Sequence, residues 1–247
     1  MRNIPEIIRL KSVQSTNNAL AEMIVDNVLK NFTTIVTDNQ VGGKGQGAHL
    51  WVSEPGMNLT FSMHINVSGL DPLALFVINK SVAISIVEFI RNIEPELHPF
   101  IKWPNDIIID DRKIAGILIE NIFMKDNIHC IAGIGININQ KQFPEMERLP
   151  ISLAILKGKT YDLKKLIISV TQSLVDNINL VFQGRADEIH SAYDDLLWKK
   201  NILTSCIVHN NPVRGSILGV DTSGRLLFRP EHEKEIMCLE HGEIKIG

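Results

Sequence analysis

The 247-residue sequence is poor in cysteine, with Cys130, Cys206 and Cys238 as its whole complement. An odd number of distant thiols with no CxxC pair argues against a disulfide framework or a thiol-based zinc site, and fits a reducing compartment. Long apolar runs are also missing: no stretch of 18 uncharged apolar residues occurs, and the opening MRNIPEIIRLKS lacks the apolar core of a signal peptide. The expectation is therefore a cytoplasmic protein without membrane contact. Excess positive charge is absent as well; a net charge of −3 implies no bulk attraction to nucleic acid. The eight histidines include no HExxH or other close pair, so no metal ligand is expected. With 45% hydrophobic and 21% charged residues, the chain is an ordinary globular one, long enough for one sizeable core and a small second domain.

The apolar pattern predicts a helix over 16–30, a strand over 32–37, a glycine-rich loop over 41–51 and a strand over 58–65. Asp71-Pro72 reads as the N-cap and first residue of a helix that stops before Pro95. Strand-like runs follow at 100–103, 106–110, 113–123 and 128–138. Asp162 can cap a helix with apolar positions from Leu163 to Phe182, Gly184 can end it, and residues 186–198 read as a last short helix. From about residue 201, short apolar runs (203–208, 213–220, 225–229, 235–239, 243–246) alternate with turn residues, the pattern of a small β-barrel. The expected domains are 1–199 and 200–247.

Three clusters carry chemistry. Residues 40–51 hold four glycines and Lys44, a composition that turns backbone N–H groups toward an anion. The loop is neither a P-loop, since Gly45 stands where Ser or Thr is needed, nor a Rossmann fingerprint, since a strand follows it. The second cluster is IKWPND (101–106), followed by DRKIAG (111–116). The polar residues 110–112 read as a charged turn, whereas Lys113 leads into a small-residue strand that lets a ligand approach closely. The third is AGIGININ (132–139), where Gly133 and Gly135 clear one strand face of side chains and leave a flat wall for a ring.

In order along the chain, Ser15-Thr16-Asn17, the glycine loop ending in Trp51, Pro55-Gly56-x-Asn58-Leu59, KWPND, DRKIAGI and GIGIN resemble the biotin–protein ligase family. The resemblance implies an α+β fold: a mixed-sheet ligase domain of the biotin/lipoate ligase type with a small C-terminal SH3-like β-barrel. It implies a ligase that activates biotin with ATP to biotinyl-5'-AMP and transfers biotin to a lysine of a biotin carboxyl carrier protein, with magnesium accompanying ATP. By position, Ser15, Thr16, Asn17, Gln40, Gly43, Lys44, Trp51, Lys113, Gly116, Gly133 and Gly135 would bind biotin. Gln46, Trp51, Asn105 and Asn137 would bind ATP or the adenylate, and Lys113, Asp106 and Lys44 would carry catalysis.

The chain departs from the family's arginine-rich loop at three positions. Lys44 and Gln46 stand where arginines are common, and Ala48 stands at a glycine position. Lysine keeps the charge but loses the bidentate fork, so a weaker grip on phosphate or carboxylate is expected. Many bacterial members carry an amino-terminal helix-turn-helix; a chain that begins almost at Ser15 is expected to lack one and not to bind DNA. Homodimerisation is compatible with the resemblance. Two other readings are a lipoate or octanoate ligase of the same fold, whose RRxSGGGxVxHD-type loop is absent here, and a non-catalytic biotin sensor.

Overall fold

The computed structural model describes residues 5–26, 29–43, 45, 47, 50–125, 127–144 and 150–246. Seven strands form one mixed sheet in the order β1-β2-β3-β7-β6-β5-β4: β1 (Ile7–Val13), β2 (Thr34–Gln40), β3 (Leu59–Asn66), β4 (Phe100–Lys102), β5 (Asp106–Ile109), β6 (Arg112–Met124) and β7 (Asn127–Ile136). β1 runs parallel to β2 and the other pairs are antiparallel.

The period-2 alternation of the central strands divides this sheet into two unlike faces. Leu59, Phe61 and Met63 of β3, Ala132, Ile134 and Ile136 of β7, and Ala115 and Ile117 of β6 join the main core. That face is covered by α2 (Phe76–Ile93), α4 (Leu163–Phe182) and α5 (Ala186–Asp195). The other face carries Thr60 and Ser62 of β3, Gly133 and Gly135 of β7, and Gly116 of β6. Helix α1 (Thr16–Asp26) packs there, through a separate small cluster of Leu20, Ile24, Ile35 and Ile131. A second, antiparallel sheet of five strands ends the chain, in the order β11-β10-β9-β8-β12: β8 (Leu203–Val208), β9 (Asn211–Val220), β10 (Leu226–Pro230), β11 (Met237–Leu239) and β12 (Ile244–Ile246). Among the described residues no helix is long and apolar enough to cross a membrane.

Most predicted elements are present, with instructive shifts. Asp71-Pro72 does not start the long helix. Pro72–Ala74 is a 3-10 turn and α2 begins at Phe76, after Leu75, which offers no capping side chain. Asp162 does cap α4, its carboxylate accepting from Lys164 N at 2.9 Å, and Gly184 takes φ +76° just beyond the helix. The last helix stops at Asp195 because Leu196 and Trp198 pair with Ile101: Ile101 N donates to Leu196 O and Trp198 N to Ile101 O. Edge strand β1 and the short α3 (Leu153–Lys157) have too little periodicity to announce themselves, and neither was expected.

Candidate active site

The site lies on the glycine face, in a cleft of about 1040 Å³ between the seven-stranded sheet and the C-terminal sheet. A β-bulge aims its central charge. Asp106 pairs with Gly116 and Ile107 with Ala115, but Ile108 pairs with Lys113, so Ile114 is one residue extra on β6. The extra residue shifts the alternation by one position. Lys113 thereby joins Asp106 and Gly116 on the cleft side, and its Nζ sits 2.7 Å from Asp106 Oδ1. Asn105 locks the turn before β5 onto β6, accepting from Ile117 N through its carbonyl and donating its side-chain Nδ2 to Ile117 O, both at 2.9 Å.

At the far end, the start of α1 presents Ser15, Thr16 and Asn17, all buried. Thr16 N and Oγ1 both donate to Gln40 Oε1, at 2.9 and 3.2 Å. Ser62 Oγ lies 2.6 Å from Thr16 Oγ1 and 2.5 Å from Asn17 Oδ1, and its single proton serves one of them at a time. Asn17 Nδ2 donates to Glu120 Oε2 at 2.5 Å, which fixes which end of the amide faces which neighbour. Ser62 and Glu120 thus orient the polar end of the cleft; sequence reading passed over both. The parity of Ser62 with the glycine face was the available signal for the former.

Between these ends the glycines clear the strand face of side chains, but the protein's own Asn17, Trp51 and Lys113 lie on the cleared backbone where the sequence suggested a bare wall for a ring. A Cβ on Gly133 would lie 2.3 Å from Asn17 Oδ1, and one on Gly135 would lie 2.2 Å from Trp51 Cε2. A Cβ on Gly116 would meet Lys113 Nζ at 3.0 Å and Trp51 Cζ3 at 3.3 Å. The Trp51 indole therefore lies directly on backbone, with Lys113 Nζ 5.7 Å from its ring centre. Its buried Nε1–H finds no acceptor among the described residues, a donor available to whatever enters.

The C-terminal sheet supplies the facing wall, which includes Ser205, Cys206, Pro212, His241 and Lys245. Burial pushes the Cys206 thiol upward against the opposing effect of the Lys199 ammonium, so it is a neutral thiol and a poor nucleophile.

Of the residues singled out from sequence, Ser15, Thr16, Asn17, Gln40, Trp51, Asn105, Asp106, Lys113, Gly116, Gly133 and Gly135 all line this one cleft. Gly43 sits just behind it, where a Cβ would run into the Trp51 carbonyl at 2.4 Å; its own carbonyl accepts from Trp51 N. Asn137 is buried beside the main chain of Lys113, its Nδ2 3.4 Å from Lys113 O, and is not among the lining residues. Lys44, Gln46 and Ala48 lie outside the described residues. Chemically, the cleft offers paired donors and acceptors at one end, a flat wall, and an ammonium–carboxylate pair at the other. It suits a small polar ring joined to a chain ending in an anion.

The model of the biotin/lipoate A/B protein ligase family matches residues 10–137, just over half of the 247. The chain belongs to this family. Among similar curated proteins, this ligase-family member is 29% identical over 254 aligned residues to the bifunctional ligase/repressor BirA of Bacillus subtilis, covering 96% of this chain and 72% of that one. It is 32% identical over 125 residues to the biotin–protein ligase of Schizosaccharomyces pombe, covering 43% and 19%. Among solved structures it superposes on the biotin protein ligase from Aquifex aeolicus in complex with biotin and ATP with a TM-score of 0.81 and 26% identity, over 98% of each chain.

Proposed function

We propose that this protein is a biotin–protein ligase, and that the Lys113–Asp106 pair at the end of the glycine wall is where its chemistry takes place. The observation that carries the reading is the bulge-directed ammonium, 2.7 Å from a carboxylate and in the same cleft as a polar ring pocket built from Thr16, Asn17 and Gln40. The ureido ring of biotin, with two N–H donors and one carbonyl, fits the pocket's amide and hydroxyl groups. Biotin's valeryl chain lies beside the Trp51 indole that covers the wall and brings its carboxylate to Lys113.

One carboxylate oxygen then attacks the α-phosphorus of ATP, the bond to the bridging oxygen breaks, and pyrophosphate leaves. Lys113 stabilises charge on the carboxylate and phosphate oxygens, acting in a cleft where a fixed cation is worth more than in water. Magnesium accompanying ATP would neutralise the departing pyrophosphate. In the second step the amine of a carrier lysine attacks the acyl carbon, the bond to AMP breaks, and an amide forms. Asp106 is placed to orient that amine and receive its proton. The acceptor is a biotin carboxyl carrier protein, and three free thiols suit action in the cytoplasm.

The deciding test incubates the purified protein with ATP, magnesium, biotin or lipoate, and a carrier domain. Pyrophosphate release and a carrier mass gain that depend on biotin are the expected result. Labelling with lipoate in its place, or no pyrophosphate with either acid, sinks the proposal.

The Ser62 hydroxyl gives a narrower expectation. It lies outside the reacting end, so Ser62→Ala removes one hydrogen bond, worth about 1 kcal/mol. The KM for biotin in pyrophosphate exchange should rise about fivefold to tenfold, since about 1.4 kcal/mol is a factor of ten. The kcat should stay near that of the parent. A fall in kcat with unchanged KM would show that Ser62 serves the reaction and not the ring pocket.

A further inference from the structure

Trp103 stands inside the KWPND motif yet has no part in the chemistry above. Its side chain is 6% exposed, and its indole Nε1 donates at 2.9 Å to the carbonyl of Gly224 in the turn between β9 and β10. One residue of the β4–β5 turn is thus tied to the C-terminal sheet. Two residues further on, Asn105 ties the same turn to β6, and Asp106 follows directly. The turn is held from both sides and has little room to shift.

The acceptor side is equally fixed. Asp221 Oδ1 accepts from Ser223 Oγ at 2.8 Å and from Arg225 N at 2.9 Å, and Asp221 Oδ2 from Arg225 Nε at 2.8 Å. Gly224 adopts φ +97°, and a Cβ there would come 2.5 Å from the Phe76 ring of α2. The Gly224 carbonyl is therefore presented by a braced turn seated on α2, not by a loose loop. Helix α2 holds the start of this turn by a further bond: the fully buried Lys80 donates to Val220 O at 2.7 Å, one residue before Asp221.

We infer that Trp103 is a positioning residue: through its bond to Gly224 it uses the C-terminal sheet to hold Asp106 in register with Lys113. The inference rests on the ligase reading for its kinetic consequence but not for its structural one. A misplacement of about 1 Å costs roughly a hundredfold in rate, so a shift of a few tenths of an ångström costs about tenfold or less. The ring pocket, built by α1, β2 and β3, is untouched by such a shift.

Three variants of the full chain separate positioning from stability. Trp103→Phe keeps an aromatic ring and deletes the donor. Gly224→Ala keeps the donor and displaces the acceptor. Lys80→Met cuts the helix's bond to Val220 and keeps both the Trp103 donor and the Gly224 acceptor. In ATP-dependent biotin transfer to a carrier domain, the step that uses Asp106, the first two should lower kcat about tenfold with the biotin KM within twofold, while Lys80→Met lowers the melting temperature and spares kcat. Hydrogen exchange at the Ile117 amide, which reports the Asn105 clasp, should quicken in the first two and not in the third. The inference is overturned if Trp103→Phe keeps both its kcat and its Ile117 protection, or if all three variants lose kcat in step with melting temperature. If the parent shows no biotin transfer, the ligase reading fails, and Ile117 exchange alone decides whether Trp103 holds the turn.

Discussion

Replacing Lys113 with methionine is expected to slow biotinyl-adenylate formation by about 10²- to 10³-fold, the loss that follows removal of one preorganised stabiliser of developing charge. The geometry makes this substitution informative. Methionine retains a long unbranched stem over Gly116 and the Trp51 ring, so the wall stays packed while the charge disappears. Stability should barely change, because the Lys113 and Asp106 side chains are 33% and 23% exposed. Ion pairs of that exposure contribute about 0–1 kcal/mol to folding. Lys113→Arg restores the charge but brings a planar, bulkier head to a place where the present ammonium already lies 3.0 Å from a Cβ built on Gly116. Arginine should recover only part of the rate. Pyrophosphate exchange measured beside a thermal melt checks both expectations. An unchanged exchange rate in the methionine variant would remove Lys113 from the chemistry.

Gly135→Ala carries the second large effect. A single methyl group there meets the Trp51 ring at 2.2 Å, against backbone that belongs to the centre of the sheet. The strand cannot yield, because Gly135 is paired to Thr60 on one side and Gly116 on the other. The indole must move instead, while its own main chain is held by the Trp51 N to Gly43 O bond at 3.0 Å. Overpacking of this kind costs about 1–3 kcal/mol. Because the displaced ring moves into the space the ligand would use, the cost falls on binding, as a roughly tenfold to hundredfold weaker biotin affinity with about 1.4 kcal/mol per factor of ten. Calorimetric titration with biotin, with tryptophan fluorescence as a monitor of Trp51, measures it. Wild-type affinity in this variant would show that biotin binding does not depend on where the Trp51 ring lies.

The site was more legible in the sequence than its support was. Gly133 and Gly135 could be placed on one face from spacing alone, because strand alternation is local and periodic. The C-terminal strands were legible for a related reason, since turn residues punctuate them at short intervals. Helix α2 was visible from its apolar length, but its start was not. Asp71-Pro72 is a good capping pair that the chain spends on a 3-10 turn, and Phe76 begins the helix because it packs against Tyr193, whose position no local pattern reveals. Glu120 and Ser62 stayed hidden because their value lies in partners 103 and 45 residues away. The Trp103 to Gly224 bond, spanning 121 residues, is of the same kind. The bulge at Ile114 was hidden as well: a run of isoleucines on β5 and β6 gives no sign of which residue is unopposed.

That unopposed isoleucine sets a rule of pairing for the strand. The side chain at position 114 is ordinary core, and other apolar residues could fill the space. What cannot change is that one residue between Lys113 and Gly116 goes unopposed. A regular ladder through the same residues would put positions three apart on opposite faces, turn the ammonium toward the helices and leave the cleft without its cation. Two chains could thus agree at each chemically active position and differ in activity through the pairing of a single residue that touches no ligand.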